Sequence, residues 1–207
     1  VFGLLNVAVA ALALRLLRDE IPDAARLKAG CAVSALVLAA GLAGSRAIAD
    51  HAEGSLYADE VVFSKTSTYQ RIVLTRWKDD WRLFLGGHLQ FSTMDEYRYH
   101  ETLVHPALSA HSAPRRVLIL GGGDGLAARE VLRDPRVKEV TLVDLDPEMT
   151  KLFSTHPQLS RLNGGSLQDP RVVVVNADAF KWLDTSLGGF DAAIVDLMLP
   201  RLDGLSL

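Results

Sequence analysis

The sequence predicts an α/β protein. Its main body is a doubly wound parallel sheet, preceded by a small antiparallel β-hairpin domain and by N-terminal transmembrane helices. Three observations predict this order. From Arg116 onward, fully apolar runs of strand length alternate with helical patterns. Before them lie short runs of β-branched and aromatic residues separated by turn signals. The chain opens with two uncharged apolar segments.

Val1 to Leu14 carries no charge, and Ala29 to Ser45 carries none over about seventeen residues, the lower limit for spanning a bilayer. The stretch "RLLRDEIPDAARLK" between them is a charged connector with a proline. The pattern reads as two membrane helices and a short loop, occupying residues 1–50. The alternative is a buried helical hairpin of a soluble protein. A cleaved signal peptide fits poorly, because two apolar segments follow each other. The connector holds Arg15, Arg18, Arg26 and Lys28, whereas Arg46 stands nearly alone after the second segment. By the positive-inside rule the connector is cytoplasmic and the following domain outside, unless upstream helices override it. The chain starts at Val1 without methionine and ends at Leu207 shortly after an apolar run, so a fragment of a longer protein is expected, its first helix and its parallel sheet both truncated.

Hydrophobic residues make up 49% of the chain and the net charge is -3, which gives a nucleic-acid partner no electrostatic support. The single cysteine, Cys31, lies in an apolar run and makes neither a disulfide framework nor a metal site; no metal is expected.

Residues 51–60 read as a polar linker. The runs "VVFSK", "YQRIVLTR", "WRLFLGG" and "HLQFS" follow, with "WKDD" and "GG" as turns, and predict a hairpin domain over 57–93. "MDEYRYHETLVHPAL" has a helical spacing of Tyr97, Leu103, Val104 and Leu108, ended by Pro114. The parallel-sheet domain occupies 94–207. Its strands are "VLIL", "VTLVD", "RVVVVNAD" and "DAAIVD", and its helices are "LAAREVLRD", "PEMTKLFS" and "AFKWLDT".

The first of these strands runs into "GGGDG". Glycine permits a positive φ and lets a ligand approach the backbone, and the following helix offers free N–H groups. Gly121, Gly123 and Gly125 give G-x-G-x-G, a weak signal alone. Asp124 inside the loop repels a pyrophosphate and favours a cation such as a sulfonium or an amine. Asp144 ends the second strand, where a carboxylate can accept both ribose hydroxyls. Asp146 reads as a helix cap before Pro147. Asp178, after the third strand, either accepts from an adenine amino group or caps the next helix. Asp196 ends the fourth strand. Four successive strands thus each deliver a carboxylate near their C-terminal ends, where open α/β sheets bind ligands.

Together "YQRIVLTRWKDDWRLFLGGHLQFSTMDEYRYHETLVHPAL", "VLILGGGDGLAAREVL", "VTLVDLDPEM", "DPRVVVVNADAF" and "FDAAIVD" resemble the polyamine aminopropyltransferases, the spermidine synthases, over roughly residues 57–196. The apolar N-terminus is similar to that of the bacterial subgroup with an integral-membrane part. The resemblance implies a Rossmann-like sheet of the class I methyltransferase type. It also implies transfer of an aminopropyl group from decarboxylated S-adenosylmethionine to putrescine or a related amine, releasing methylthioadenosine. That nucleoside is a cosubstrate, and no permanently bound cofactor is implied. Gln70, Gly121, Gly123, Asp144, Asp178 and Ala179 match nucleoside-binding positions. His100 and Asp124 match polyamine-binding positions, and Asp196 matches the proton acceptor. The implied setting is the cell membrane, multi-pass, with the catalytic domain cytoplasmic, and a homodimer is compatible with it. One departure stands out: the family's D-x-x-D-P reads Asp196-Leu197-Met198-Leu199-Pro200 here, so Leu199 replaces an amine-binding aspartate.

Two other readings compete. One is a methyltransferase using S-adenosylmethionine; the other is a membrane-anchored nucleoside- or polyamine-binding protein without turnover, motivated by Leu199. In the doubly wound order, Val117 to Leu120 should pair with Ala192 to Val195. The outer edge of that last strand then awaits a further strand, and the 207-residue chain alone is expected to be poorly soluble and inactive.

Overall fold

A computed structural model describes residues 2–17, 23–186 and 188–197. The chain divides into two compact units, Val1–Ala58 and Asp59–Leu207.

The first unit is two helices, α1 (Phe2–Leu16) and α2 (Ala24–Leu56). They pack closely at Gly3, where a Cβ would lie 3.2 Å from the Leu38 side chain. Within α2, Ala25–Gly44 is long and apolar enough to cross a membrane by length and composition, with a mean hydropathy of 1.7. Helix α1 is apolar but has 15 residues. At about 1.5 Å per residue it falls short of a hydrocarbon core about 30 Å thick. Among the described residues there is thus one candidate span where the sequence suggested two. Arg18 and Pro22 of the expected connector lie outside the described residues. The linker expected at 51–60 is corrected as well. Helix α2 continues to Leu56, because "AIADHAEGSL" contains good helix formers and no proline, and the chain turns extended only at Tyr57.

The second unit begins with an antiparallel sheet of β1 (Glu60–Thr66), β2 (Arg71–Trp77), β3 (Asp80–Leu85) and β4 (His88–Ser92), paired in chain order. The β3–β4 turn is Gly86-Gly87, with φ of 57° and 86°, as a two-residue hairpin turn of this hand requires. Helix α3 (Glu96–Ala110) follows and buries Glu96, His100, Val104 and Leu108, one side chain per turn. The expected spacing is therefore corrected at its start. Tyr97 is 43% exposed, and two polar residues hold the inner face instead. The helix also ends four residues before Pro114, with His111 already extended.

The parallel sheet consists of β5 (Arg116–Gly121), β6 (Glu139–Asp144), β7 (Val172–Asn176) and β8 (Ala192–Asp196), in the order β7-β6-β5-β8. Val117 pairs with Ala192 and Leu120 with Val195, the register expected from the doubly wound order. Among the described residues β8 pairs only with β5, and Val195 is 52% exposed. The helices are α4 (Leu126–Leu132), α5 (Pro147–Thr155), α6 (Pro157–Leu162) and α7 (Ala179–Thr185). Helix α6 and the 3-10 turn Ser166–Gln168 were not legible in the sequence.

Alternate residues of β5 enter different cores. Val117 and Ile119 pack in one cluster, Leu118 and Leu120 in another. A strand covered on both faces must be apolar throughout, which is why "VLIL" shows no alternation. The first cluster also contains Ile72, Leu74, Leu83 and Phe91. The hairpin sheet and the parallel sheet therefore share one core.

Candidate active site

The C-terminal ends of β5, β6 and β8 open into a cavity of about 450 Å³. Its lining includes Gly121 to Asp124, Asp144 and Asp196 from the strand ends, together with Tyr69, Gln70, Tyr99 and His100. Two glycines are fixed by contact. A Cβ on Gly121, at φ +84°, would lie 2.1 Å from the Asp196 carbonyl oxygen. A Cβ on Gly123 would lie 2.6 Å from Asp144 Cγ. The glycines thus let the loop pass between the two carboxylate-bearing strand ends.

Asp144 is held from both sides. Its Oδ2 accepts from the Gly123 N–H at 2.9 Å and its Oδ1 from the Asp146 N–H at 2.8 Å. Burial raises its pKa, the nearby Asp146 and Asp196 charges add to the rise, and the two N–H donors oppose it. Asp146 caps α5, as expected, by accepting from Glu148 N–H at 3.0 Å. Its other oxygen accepts from Ser67 Oγ at 2.6 Å and Gln70 Nε2 at 3.2 Å.

The β8 side is built differently. Tyr99 Oη donates to Asp196 Oδ1 at 2.8 Å. Burial, Asp196 and Asp124 push the phenol up to about 12, so it remains a donor at neutral pH. Asp124 Oδ1 accepts from the Leu126 N–H at 2.9 Å. Burial first, then the Asp196 charge, raises the Asp124 carboxyl to about 7. His100 is 3% exposed, and its Nδ1 lies 2.9 Å from Glu96 Oε2. Glu96 in turn accepts two bonds from Arg129, at 2.9 and 3.0 Å. Burial alone would lower the His100 pKa, but Glu96, Asp124 and Asp196 outweigh it and raise it. One ligand atom each from His100, Asp124 and Asp196 lies within 4.8 Å of the others. That spacing suits a cation, organic or metallic.

Of the residues singled out in the sequence, Gln70, His100, Gly121, Gly123, Asp124, Asp144 and Asp196 meet at this one cavity. Asp178 and Ala179 do not line it. Asp178 caps α7, accepting from Phe180 and Lys181 N–H groups at 3.0 and 3.3 Å, and Ala179 is buried against Leu118, Leu120 and Val143. Leu199 lies outside the described residues. Sequence reasoning missed Tyr99, Glu96 and Arg129. The signal was the spacing of Glu96 and His100, four apart and so on one helix face.

Residues 96–205 match the spermine/spermidine synthase domain. A polyamine aminopropyltransferase of Leptospira interrogans is 51% identical over 200 residues, covering 97% of this chain and 40% of that protein. Polyamine aminopropyltransferase 2 of Ralstonia nicotianae is 52% identical over 203 residues, covering 96% of this chain and 40% of that protein. The chain thus spans about 40% of the length of these curated relatives. Among solved structures, spermidine synthase from Thermotoga maritima matches with TM-score 0.62 and 32% identity, over 66% of this chain and 47% of that one. A spermidine synthase bound to the transition-state analogue AdoDATO matches with TM-score 0.64 and 31% identity, over 69% and 48%. The matched domain begins at Glu96, whose helix supplies Tyr99 and His100, and takes in Asp124, Asp144 and Asp196: the chain belongs to the spermine/spermidine synthase domain family.

Proposed function

We propose that the whole protein transfers the aminopropyl group of decarboxylated S-adenosylmethionine to putrescine or a related amine, releasing methylthioadenosine. The observation that carries this reading is the cavity's two-sided chemistry. A glycine loop with a ribose-competent carboxylate, Asp144, lies beside a basket of His100, Asp124 and Asp196. The basket suits ammonium groups, and Asp144 with Gln70 suits a nucleoside.

The reaction needs one proton moved and one C–S bond broken. The acceptor amine loses a proton to the Asp196 carboxylate, which Tyr99 orients through its hydrogen bond. The free nitrogen lone pair attacks the carbon beside the sulfonium. The C–S bond breaks, its electron pair stays on sulfur, and the neutral thioether leaves. The new secondary ammonium stays among the carboxylates until release. Alignment of nitrogen, carbon and sulfur supplies most of the acceleration. Methyl transfer is disfavoured by the same basket, since the α-carboxylate of S-adenosylmethionine would face Asp124 and Asp196.

The candidate span in α2 supports a membrane anchor through residues 1–50; the cytoplasmic placement of the catalytic part, lobes 57–93 and 94–207, comes from the family resemblance and runs against the Arg and Lys count of the connector. A homodimer is consistent with this arrangement. The test is product analysis of the full-length protein. Incubation with decarboxylated S-adenosylmethionine and putrescine should give methylthioadenosine and spermidine in equal amounts. Release of S-adenosylhomocysteine from S-adenosylmethionine, with no aminopropyl product, would overturn the reading in favour of a methyltransferase. Binding without any product would make it a binding protein.

A further inference from the structure

The cap on α5 uses only one oxygen of Asp146. The other is spent on the turn between β1 and β2. Ser67 Oγ donates to Asp146 Oδ2 at 2.6 Å and accepts from the backbone N–H groups of Tyr69 and Gln70, both at 3.0 Å. The Gln70 side chain reaches the same Asp146 oxygen at 3.2 Å. Asp146 is 2% exposed, and its own N–H donates to Asp144 Oδ1 at 2.8 Å. Asp144 Oδ2 closes the line on the Gly123 N–H at 2.9 Å. One unbroken hydrogen-bonded line therefore runs from the hairpin turn, through a helix cap, to the ribose carboxylate and the glycine loop. It joins the two sheets where their walls face each other across the cavity.

A cap alone does not need Ser67. Asp146 Oδ1 already satisfies the Glu148 N–H. Nor does the hairpin need Asp146 to turn, because the Ser67 N–H donates to the Gln70 carbonyl at 2.9 Å. What the Ser67–Asp146 bond adds is register between the two walls. It fixes Gln70 and Tyr69 relative to Asp144. The buried Asp146 carboxylate makes this a charge-assisted bond, the stronger kind.

We infer that Ser67 and Asp146 are positioning residues for the nucleoside cosubstrate, acting through Gln70 and Asp144. The inference rests on the aminopropyl-transfer reading. It assigns the joint to one substrate only. The amine basket of His100, Asp124 and Asp196 is fastened separately, through Glu96, Arg129 and Tyr99.

The test uses the full-length protein and methylthioadenosine as a binding probe. Ser67→Ala should weaken methylthioadenosine binding, and raise KM for decarboxylated S-adenosylmethionine, by roughly tenfold, with kcat and the amine KM within about twofold of wild type. Ser67→Thr, which keeps the hydroxyl, should restore both. Asp146→Asn retains an oxygen for the Glu148 N–H and should weaken the nucleoside in the same direction. The double variant should be little worse than Asp146→Asn alone, because Ser67 acts through its bond to Asp146. A melting curve for each variant separates misfolding from lost register. If Ser67→Ala loses its cooperative melt, Ser67→Thr and Asp146→Asn carry the comparison. Wild-type nucleoside affinity in Ser67→Ala, or an equal loss for nucleoside and amine, overturns the positioning role. Wild-type protein that binds no methylthioadenosine overturns the reaction and the positioning role together.

Discussion

The two sides of the cavity use the same residue type for opposite ends. On the β6 side the carboxylates are held at both oxygens, each oxygen of Asp144 keeping a lone pair for a ligand hydroxyl. Asp144 and Asp146 each have both oxygens engaged by protein donors. On the β8 side they are held sparingly: among the described residues Asp124 accepts one backbone N–H and Asp196 one phenol. A carboxylate held at both oxygens keeps its geometry and presents a fixed acceptor. One held by a single donor in a desolvated basket has lone pairs to give a cation and room to take a proton. The pKa pattern agrees, since the Asp124 carboxyl is raised to about 7 by burial and by Asp196. The difference teaches that carboxylates at strand ends are not interchangeable. Those with a protein donor on each oxygen are suited to positioning, and those with a single donor, facing each other, are suited to binding a cation or taking a proton.

The largest effect should come from the β8 side. Asp196→Asn in the full-length protein should lower turnover by roughly 10²–10⁴-fold, with methylthioadenosine affinity within about twofold of wild type. Calorimetry beside a turnover assay checks this. A parallel loss of binding and turnover would show that the two sides are one site without division of labour. Next comes the β6 side. Asp144→Ala should weaken nucleoside binding by about 10- to 150-fold, the worth of hydrogen bonds to a charged acceptor. The amine KM should barely move. Unchanged nucleoside affinity would place the ribose elsewhere.

The division was only partly legible in the sequence. The parallel strands were, because a strand buried on both faces is written as an unbroken apolar run. So was the glycine loop, because no other residue tolerates the approach of Asp196 and Asp144. The supporting cast was not. Reading α3 by its apolar residues put Tyr97 inside, whereas the inner face begins with Glu96 and His100, buried with Arg129 from α4, 33 positions along the chain. Such a face violates the apolar period because it serves the site. Asp178 illustrates the reverse problem. A carboxylate after a strand and before a helix is the pattern of a cap and of an adenine contact alike; here Asp178 Oδ1 makes the capping bonds, and a cap of this kind leaves Oδ2 able to accept from an adenine amino group. The joint at Ser67 was invisible because its partner lies 79 positions away.

The raised Asp124 carboxyl gives the next sharpest comparison. On the proposed reading, an ammonium would bind the ionised form. Burial and the Asp196 charge raise the carboxyl to about 7, so at lower pH an incoming amine would have to displace a proton. The amine KM should therefore fall as pH rises, by up to about tenfold per unit below pH 7, and level off above it. Asp124→Asn should flatten that dependence. The nucleoside KM should follow neither trend. A pH profile identical for both substrates would erase the distinction between the sides.

The smallest expected effect is on stability, and its sign is the reverse of the usual carboxylate case. The folded-state pKa of Asp124 is raised from the ordinary 3.8 to about 7. Between those values the folded protein holds a proton that the unfolded chain has lost. Stability is then greatest below the lower value and declines as pH rises through the upper one. At pH 8 the group is an ionised carboxylate confined beside Asp196, which the fold must tolerate. Asp124→Asn removes that charge while keeping an acceptor for the Leu126 N–H. The variant should melt a few degrees higher than wild type at pH 8, given about 2–4 °C per kcal/mol for a domain of this size, and show little difference at pH 4. Its gain in stability should accompany its loss of amine affinity, because both follow from one buried charge. Comparison of melting curves at the two pH values decides it. A variant less stable than wild type at pH 8 would mean that the Asp124 charge is neutralised in the folded protein, most directly by His100, and that the basket is balanced before any amine arrives.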